Sequence, residues 1–304
     1  MEIIDAHAHI YDILTGFGAR GEFRPLGHGK GIWSTGEVNQ FFPAQYGDKG
    51  FLAETLLQLM DEGCIDHAVL LQGNNYGFHN HYAAETAKTH PDRFTAAITI
   101  DPYAVYAMDI LRHFTDTYGI HILKFELSRA WGLRGYHPEL TPDSPVMLHI
   151  LEQAYREGMT VVIDPGPVEN MEAEAEAFLR LRDTFPDLTM VLAHCFFPKG
   201  DGRNDLRLRL LERLAAANLM FDISNHLCLW HIDPMSQEAL DYLRGIKDAV
   251  GTGRMLWGSD APGVLRFTSY QQMISVMQNC GIFSPAELND LMCENARKTY
   301  KIDV

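Results

Sequence analysis

His7 and His9 stand one residue apart in Ile3-Ile4-Asp5-Ala6-His7-Ala8-His9-Ile10. On a β-strand, residues i and i+2 point to the same side, so both imidazoles would face one way. Neutral imidazole is the commonest metal ligand among side chains, and the pair is therefore half of a metal site. Two solvated histidines would read the same way, so the site needs further ligands. Asp164, His194 and Asp260 are of the right types to bind a divalent cation or carry a proton. Lys124 and Glu126 add a titratable pair.

Those residues are far apart in sequence, so the fold must bring them together. The 304 residues are 46% hydrophobic and 21% charged, as in an ordinary globular protein. That length accommodates one large α/β barrel, which typically takes about 250 residues. A net charge of -15 argues against nucleic acid and against an anionic membrane surface. It leaves room for a small acidic substrate, because a pocket can be locally positive on an acidic protein. No apolar run approaches the roughly 20 residues that span a bilayer. Glu2 and Asp5 stand where a signal peptide would be basic. Cys64, Cys195, Cys228, Cys280 and Cys293 are dispersed without C-x-x-C spacing, as reduced thiols would be. The expectation is a cytoplasmic protein, compatible with a homodimer.

Eight short apolar segments without polar alternation read as strands buried on both faces. They lie at about 3–10, 66–72, 94–100, 120–127, 159–163, 188–193, 219–223 and 254–260. Helical periodicity separates them, with Gly63, Gly119 and Gly158 as stops. Ser144-Pro145 and Ser284-Pro285-Ala286-Glu287 read as helix starts. Strict β-α alternation predicts an α/β fold. Eight units in one chain predict a single (β/α)8 TIM barrel over residues 1–304, with an extra C-terminal helix. An open doubly wound sheet is disfavoured, because no Gly-rich turn follows the first strand. The first βα connection, about 11–49, is long and rich in Gly and aromatics; its expected role is an irregular lid or pocket wall.

In such barrels the chemistry sits at the C-terminal strand ends. His7 and His9 end the first strand, Lys124 and Glu126 the fourth, Asp164 the fifth, His194 the sixth and Asp260 the eighth. All would share one rim.

The same residues carry a resemblance. His-x-His, Leu192-Ala193-His194 and Trp257-Gly258-Ser259-Asp260-Ala261-Pro262 resemble the amidohydrolase superfamily. Within it, the chain most resembles amidohydrolase family 2, the aminocarboxymuconate semialdehyde decarboxylase-like metal-dependent hydrolases. Asn80, Ala83, His90-Pro91-Asp92-Arg93-Phe94 with Asp101-Pro102, and Glu294-Asn295-Ala296 extend the match over nearly the whole chain. The resemblance implies one divalent metal in a barrel, with His7, His9 and Asp260 as ligands and His194 as acid/base residue. It also exposes a departure: Asp164 stands where the family pattern has a histidine ligand. Carboxylate oxygen binds zinc well, so Asp164 is the expected replacement, and the harder donor set also admits manganese. A metal-independent lactonase is the alternative.

The expected chemistry is hydrolysis by metal-activated water, with His194 and Asp260 as the catalytic residues. Nonoxidative decarboxylation or hydration of an unsaturated or aromatic acid could use the same constellation. Arg20, Arg24 and Lys30 in the first loop, with Lys124, Arg129 and Arg134 near the fourth strand, suggest a carboxylate-bearing substrate. Asn74 and Tyr76 after the second strand, Glu126, and His226 after the seventh are further candidate contacts. His231 is a weaker one, and Cys195 reads as packed rather than nucleophilic.

Overall fold

A computed structural model describes residues 1–198, 201–224 and 234–303. The chain opens with β1 (Ile4–Ala8), makes an excursion through β2 (Gly16–Gly18), β3 (Gly21–Gly27), β4 (Lys30–Trp33) and β5 (Val38–Gln40), and then returns to regular alternation. The remaining strands are β6 (His67–Leu70), β7 (Phe94–Ala96), β8 (Ile122–Glu126), β9 (Thr160–Asp164), β10 (Thr189–Ala193), β11 (Met220–Asp222) and β12 (Met255–Leu256).

Parallel ladders join β1-β6-β7 and β8-β9-β10-β11-β12. Single bridges close both gaps. At one, Ile98 pairs with Leu123, and Lys124 N donates to Ile98 O at 2.8 Å. At the other, Ala8 pairs with Ala261, with Ala6 N on Trp257 O at 3.0 Å and Asp260 N on His7 O at 2.7 Å. The eight parallel strands therefore form the expected barrel. Their interior is filled by Ile4, Ala6, Val69, Leu71, Ile122, Val162, Val191 and Leu256. Each such side chain contributes roughly 1.5–3 kcal/mol when fully buried, alanine less.

Outside lie α1 (Ala53–Gly63), α2 (Asn80–Thr89), α3 (Ala107–Tyr118), α4 (Pro145–Arg156), α5 (Met171–Thr184), α6 (Asn204–Ala216), α7 (Gln237–Val250) and α8 (Tyr270–Asn279). The extra terminal segment is α9 (Pro285–Asn289) and α10 (Asn295–Thr299), joined by a π turn at Asp290–Glu294. Ala296 and Tyr300 pack into the barrel interior and seal it at the end away from the strand tips. Ser284 forms the expected capping box with Glu287. Ser144 does occupy the N-cap of α4, but its hydroxyl turns back to Thr141 O instead of capping. The end of α1 is a left-handed Cys64, one residue beyond Gly63.

The first connection corrects an expectation. It is not irregular: β2-β3-β4-β5 form an antiparallel meander. Phe23 stacks on Trp33 and Phe41 at ring-centroid distances of 4.6 Å, and this aromatic seam gives the short strands a core of their own. The sequence showed the aromatics but no clear period, because three of the four strands have only three or four residues and β3 is broken by Pro25 and a register shift. Asn74 ties the meander to the barrel by donating to Phe17 O at 2.7 Å and Trp131 O at 2.9 Å. Across the loop after β8, Arg134 Nη2 donates to both carboxylate oxygens of Glu174 of α5 at 2.9 and 3.0 Å in a buried charge-assisted pair.

Candidate metal centre and active site

Strict alternation along β1 would not deliver its histidines. Ile4 and Ala6 face the barrel interior, and plain alternation would turn His7 and His9 away from it. The register against β6 shifts between Asp5 and Ala8, and that bulge swings both imidazoles into the barrel mouth. Gly258 leaves them room: a Cβ there would lie 2.7 Å from His7 Cβ. His194 reaches the same space another way. It opens a run of left-handed residues, His194, Cys195, Phe196 and Phe197, that bends the chain sharply at the end of β10. Asp260 is also left-handed, at φ 60°.

Hydrogen bonding fixes how each ring presents itself. His7 Nδ1 meets Asp222 Oδ2 at 2.5 Å, with Ser224 Oγ at 3.2 Å. His9 Nδ1 faces Leu71 O at 2.6 Å and the Tyr76 hydroxyl. His194 Nδ1 faces Ser224 O at 3.0 Å. In each case a carboxylate or carbonyl oxygen takes the Nδ1 proton, and the Nε2 lone pair is left for the cavity. His7 Nε2 and His9 Nε2 lie 3.1 Å apart; Asp260 Oδ1 is 3.0 Å from the second and 3.6 Å from the first. Ligand atoms of His7, His194 and Asp260 fall within 4.8 Å of one another. Asp164 adjoins this group through His194, with Oδ2 3.5 Å from Nε2, while its Oδ1 accepts from Gly166 N at 2.7 Å.

This arrangement fits a divalent cation. A tetrahedral zinc with ligands at about 2.0–2.1 Å holds its donors about 3.4 Å apart, close to the observed separations. Without a cation, two lone pairs would oppose each other at 3.1 Å. The donor set of imidazoles and carboxylate is the one zinc takes in catalytic sites.

Electrostatics push the groups apart in behaviour. Burial depresses the His7 imidazole well below its ordinary pKa, and Lys124 with the neighbouring imidazoles adds to this. Burial pulls His194 the same way, but Asp164, Asp260 and Asp222 outweigh it and raise the value. Burial opposes ionisation of Asp260, yet its contact with His9 and the nearby His194 and His7 imidazoles hold it well below the usual carboxylate range. Glu126 is pushed up to about 7 by burial and by Asp164.

The group opens into a cavity of about 730 Å³. Its polar lining includes Asn39, Gln40, Asn75, Lys124, Glu126, Ser128 and Arg266, and its aromatic walls include Phe41, Tyr76, Trp131, Phe197 and Phe267. The meander thus supplies one wall of the pocket. A second depression, about 610 Å³, lies beside α2 and α3 and contains none of the metal-type residues at the strand ends.

Of the residues expected from the sequence, the cavity gathers His7, His9, Tyr76, Lys124, Glu126, Asp164, His194 and Asp260. Most of the expected cations lie elsewhere. Arg24, Lys30 and Arg129 are exposed on the surface. Arg20 pairs with Glu37 at 2.6 Å and stacks over Trp131. Arg134 is spent on Glu174. Long charged side chains on hairpins and loops stay solvated unless a partner holds them. Asn74 is a staple for the meander; its neighbour Asn75 lines the cavity. His226 and His231 lie outside the described residues. The sequence reading missed Asp222, Ser224 and Arg266. For the first two the signal was the period of β11: Met220, Asp222 and Ser224 share one face, and that face looks inward.

The sequence matches the amidohydrolase family profile over residues 4–302. No curated protein sequence matches it. Among solved structures it is similar to a probable 2-pyrone-4,6-dicarboxylic acid hydrolase from Acinetobacter baumannii with citric acid bound, at TM-score 0.71 and 16% identity over 99% of this chain and 100% of that one. An amidohydrolase from Burkholderia multivorans with bound Zn aligns at TM-score 0.72 and 16% identity, over 100% of both chains. A 2,6-dihydroxybenzoate decarboxylase from Rhizobium aligns at TM-score 0.59 and 17% identity, over 83% of this chain and 89% of that one. At these identities the likenesses concern the fold. Among the described residues, no helix is long and apolar enough to cross a membrane.

Proposed function

The chain belongs to the amidohydrolase family, and we propose that it is a metal-dependent hydrolase of a small carboxylate-bearing substrate. The observation that carries this reading is the meeting of His7 Nε2, His9 Nε2 and Asp260 Oδ1 at 3.0–3.6 Å in a barrel mouth. These three residues would hold the cation, with Asp164 as a further ligand in place of the family's histidine. Zinc suits the donor set, and manganese is the alternative. The bound zinc of the Burkholderia multivorans neighbour supports that reading. When bound, the cation would supply Lewis acidity for activating water and polarising a substrate oxygen.

The protein's own groups do the rest. His194, kept basic by Asp164, Asp260 and Asp222, takes the proton from the attacking water and returns it to the leaving group. Lys124 is 1% exposed and lines the cavity, and its side chain makes no hydrogen bond or ion pair among the described residues. Its charge acts on Glu126 without forming an ion pair, and a substrate carboxylate would give the ammonium a direct partner. Tyr76 and Glu126 would contact the substrate beside the metal, and Phe41, Trp131 and Phe197 would exclude bulk water around it. The hydrolase and the decarboxylase among the neighbours both carry acids in their names, which is consistent with an acidic substrate here.

The test is metal analysis of protein purified without chelator, followed by assays on acidic lactones and unsaturated carboxylic acids. Ultraviolet monitoring with carbon dioxide detection separates ring opening from loss of CO2. The reading expects about one metal per chain and chelator-sensitive hydrolysis. Full activity in metal-free protein would overturn it, and CO2 release would move the chain to the lyases.

A further inference from the structure

We infer that Asp5 is a positioning residue whose carboxylate clasps the barrel's closing seam and sets Asp260 in place against His9. The inference rests on the metal-site reading above for its consequence, but not for its geometry. Asp5 is wholly buried on β1, two residues before His7. Its Oδ1 accepts from Ser259 N at 2.8 Å and from His7 N at 3.1 Å. Its Oδ2 accepts from Ser259 Oγ at 2.6 Å and from the Tyr270 hydroxyl at 2.8 Å. One side chain thus binds the strand that carries both histidines, the turn that carries Asp260, and the start of α8.

The location matters because this seam is weak in regular pairing. β1 and the chain after β12 share a single ladder bridge, Ala8 with Ala261. Between them sits Asp260 in a left-handed conformation that an unconstrained L-residue seldom holds. Both of its neighbours are pinned. Ser259 is held at its N–H and its hydroxyl by Asp5, and Ala261 N donates to that same hydroxyl at 2.9 Å. Asp260 N itself donates to His7 O at 2.7 Å. With both flanks fixed, the Asp260 carboxylate is delivered to His9 Nε2 at 3.0 Å. Releasing the clasp lets residue 260 relax toward an ordinary backbone conformation, which carries its carboxylate away from the histidines.

A clasp that merely stabilised the seam would lower the melting temperature and leave the site's geometry unchanged. The experiment therefore reads the geometry directly. Asp5→Asn, Asp5→Ala and Ser259→Ala are purified metal-free, crystallised, and titrated with zinc against a chromophoric chelator. In Asp5→Asn the amide can still accept from the two N–H groups and donate to the hydroxyls, so a several-fold loss of zinc affinity is expected. In Asp5→Ala the expected loss is tenfold or more, with Asp260 moved out of contact with His9 Nε2. Ser259→Ala removes two of the bonds without touching a charge, and it carries the test should Asp5→Ala not fold; its expected loss is at least several-fold. Retention of the His9–Asp260 contact with zinc affinity within twofold of wild type in Ser259→Ala and in any folded Asp5 variant would overturn the inference. If wild-type protein fails to bind zinc, the metal-site reading falls, while the metal-free structures still decide whether Asp5 positions Asp260.

Discussion

Asp222, at the end of β11, accepts the Nδ1 proton of His7 at 2.5 Å from two strands away, and so fixes which nitrogen of that imidazole faces the site. Its other oxygen is held by Ser224 N at 2.7 Å, so the carboxylate cannot turn away. Replacing Asp222 with Asn presents an N–H to His7 and favours the other tautomer, whose Nε2 carries a proton and cannot ligate. We expect Asp222→Asn to weaken zinc binding by about 10–100-fold with little change in fold. Competition titration against a chelator checks this; wild-type affinity would show that Asp222 does not set the tautomer.

Lys124 should separate substrate binding from metal binding. Losing a charge-assisted hydrogen bond costs about 1.5–3 kcal/mol, or roughly 10–100-fold in kcat/KM. Lys124→Met should show that loss mainly in KM for an acidic substrate, with metal content unchanged. A neutral ester analogue should be hydrolysed equally by both proteins. An equal loss on the neutral analogue would remove Lys124 from carboxylate recognition.

Asp164 stands where the sequence resemblance implies a histidine ligand. As a ligand, it predicts that Asp164→Asn weakens zinc binding at least tenfold. A variant that binds zinc normally but shows a displaced acidic limb in its pH-rate profile would instead make Asp164 a tuning partner of His194, 3.5 Å away.

Acid stability should report the loop that carries His194. Arg207 holds Asp201 through two bonds at 2.7 and 2.6 Å and donates to Phe196 O at 3.2 Å, inside the left-handed run. Hydrogen bonding to Arg207 pulls the Asp201 carboxyl down from 3.8 to about 2. A depressed carboxyl stabilises the fold fully above its unfolded value, and that stability is lost as pH falls through about 2. Wild type should therefore melt above Asp201→Asn at pH near 5, and the gap should close on acidification toward pH 2. A gap independent of pH would refute the assignment.

The barrel could be read from the sequence because strands buried on both faces leave unbroken apolar runs, such as Val161-Val162-Ile163, and each is followed by a helical period. The cluster of candidate site residues could be read because those residues end the runs. What escaped depends on local backbone departures that no period records. The bulge in β1 that re-aims His7 and His9 is one, and the left-handed turn at His194–Phe197 is another. The cationic residues misled because residue type says nothing about reach: Arg24 and Lys30 project from a hairpin surface, while Arg266, unnoticed, lies on the cavity wall. Asp222 was legible, had the inward face of its strand been followed one step further.

The most direct measurement is anomalous diffraction at the zinc edge from crystals of protein equilibrated with zinc. The account predicts one strong peak bounded by His7 Nε2, His9 Nε2 and Asp260 Oδ1, each about 2.0–2.2 Å from it. No peak there, or a peak bound elsewhere with these three side chains left as they are, would contradict it.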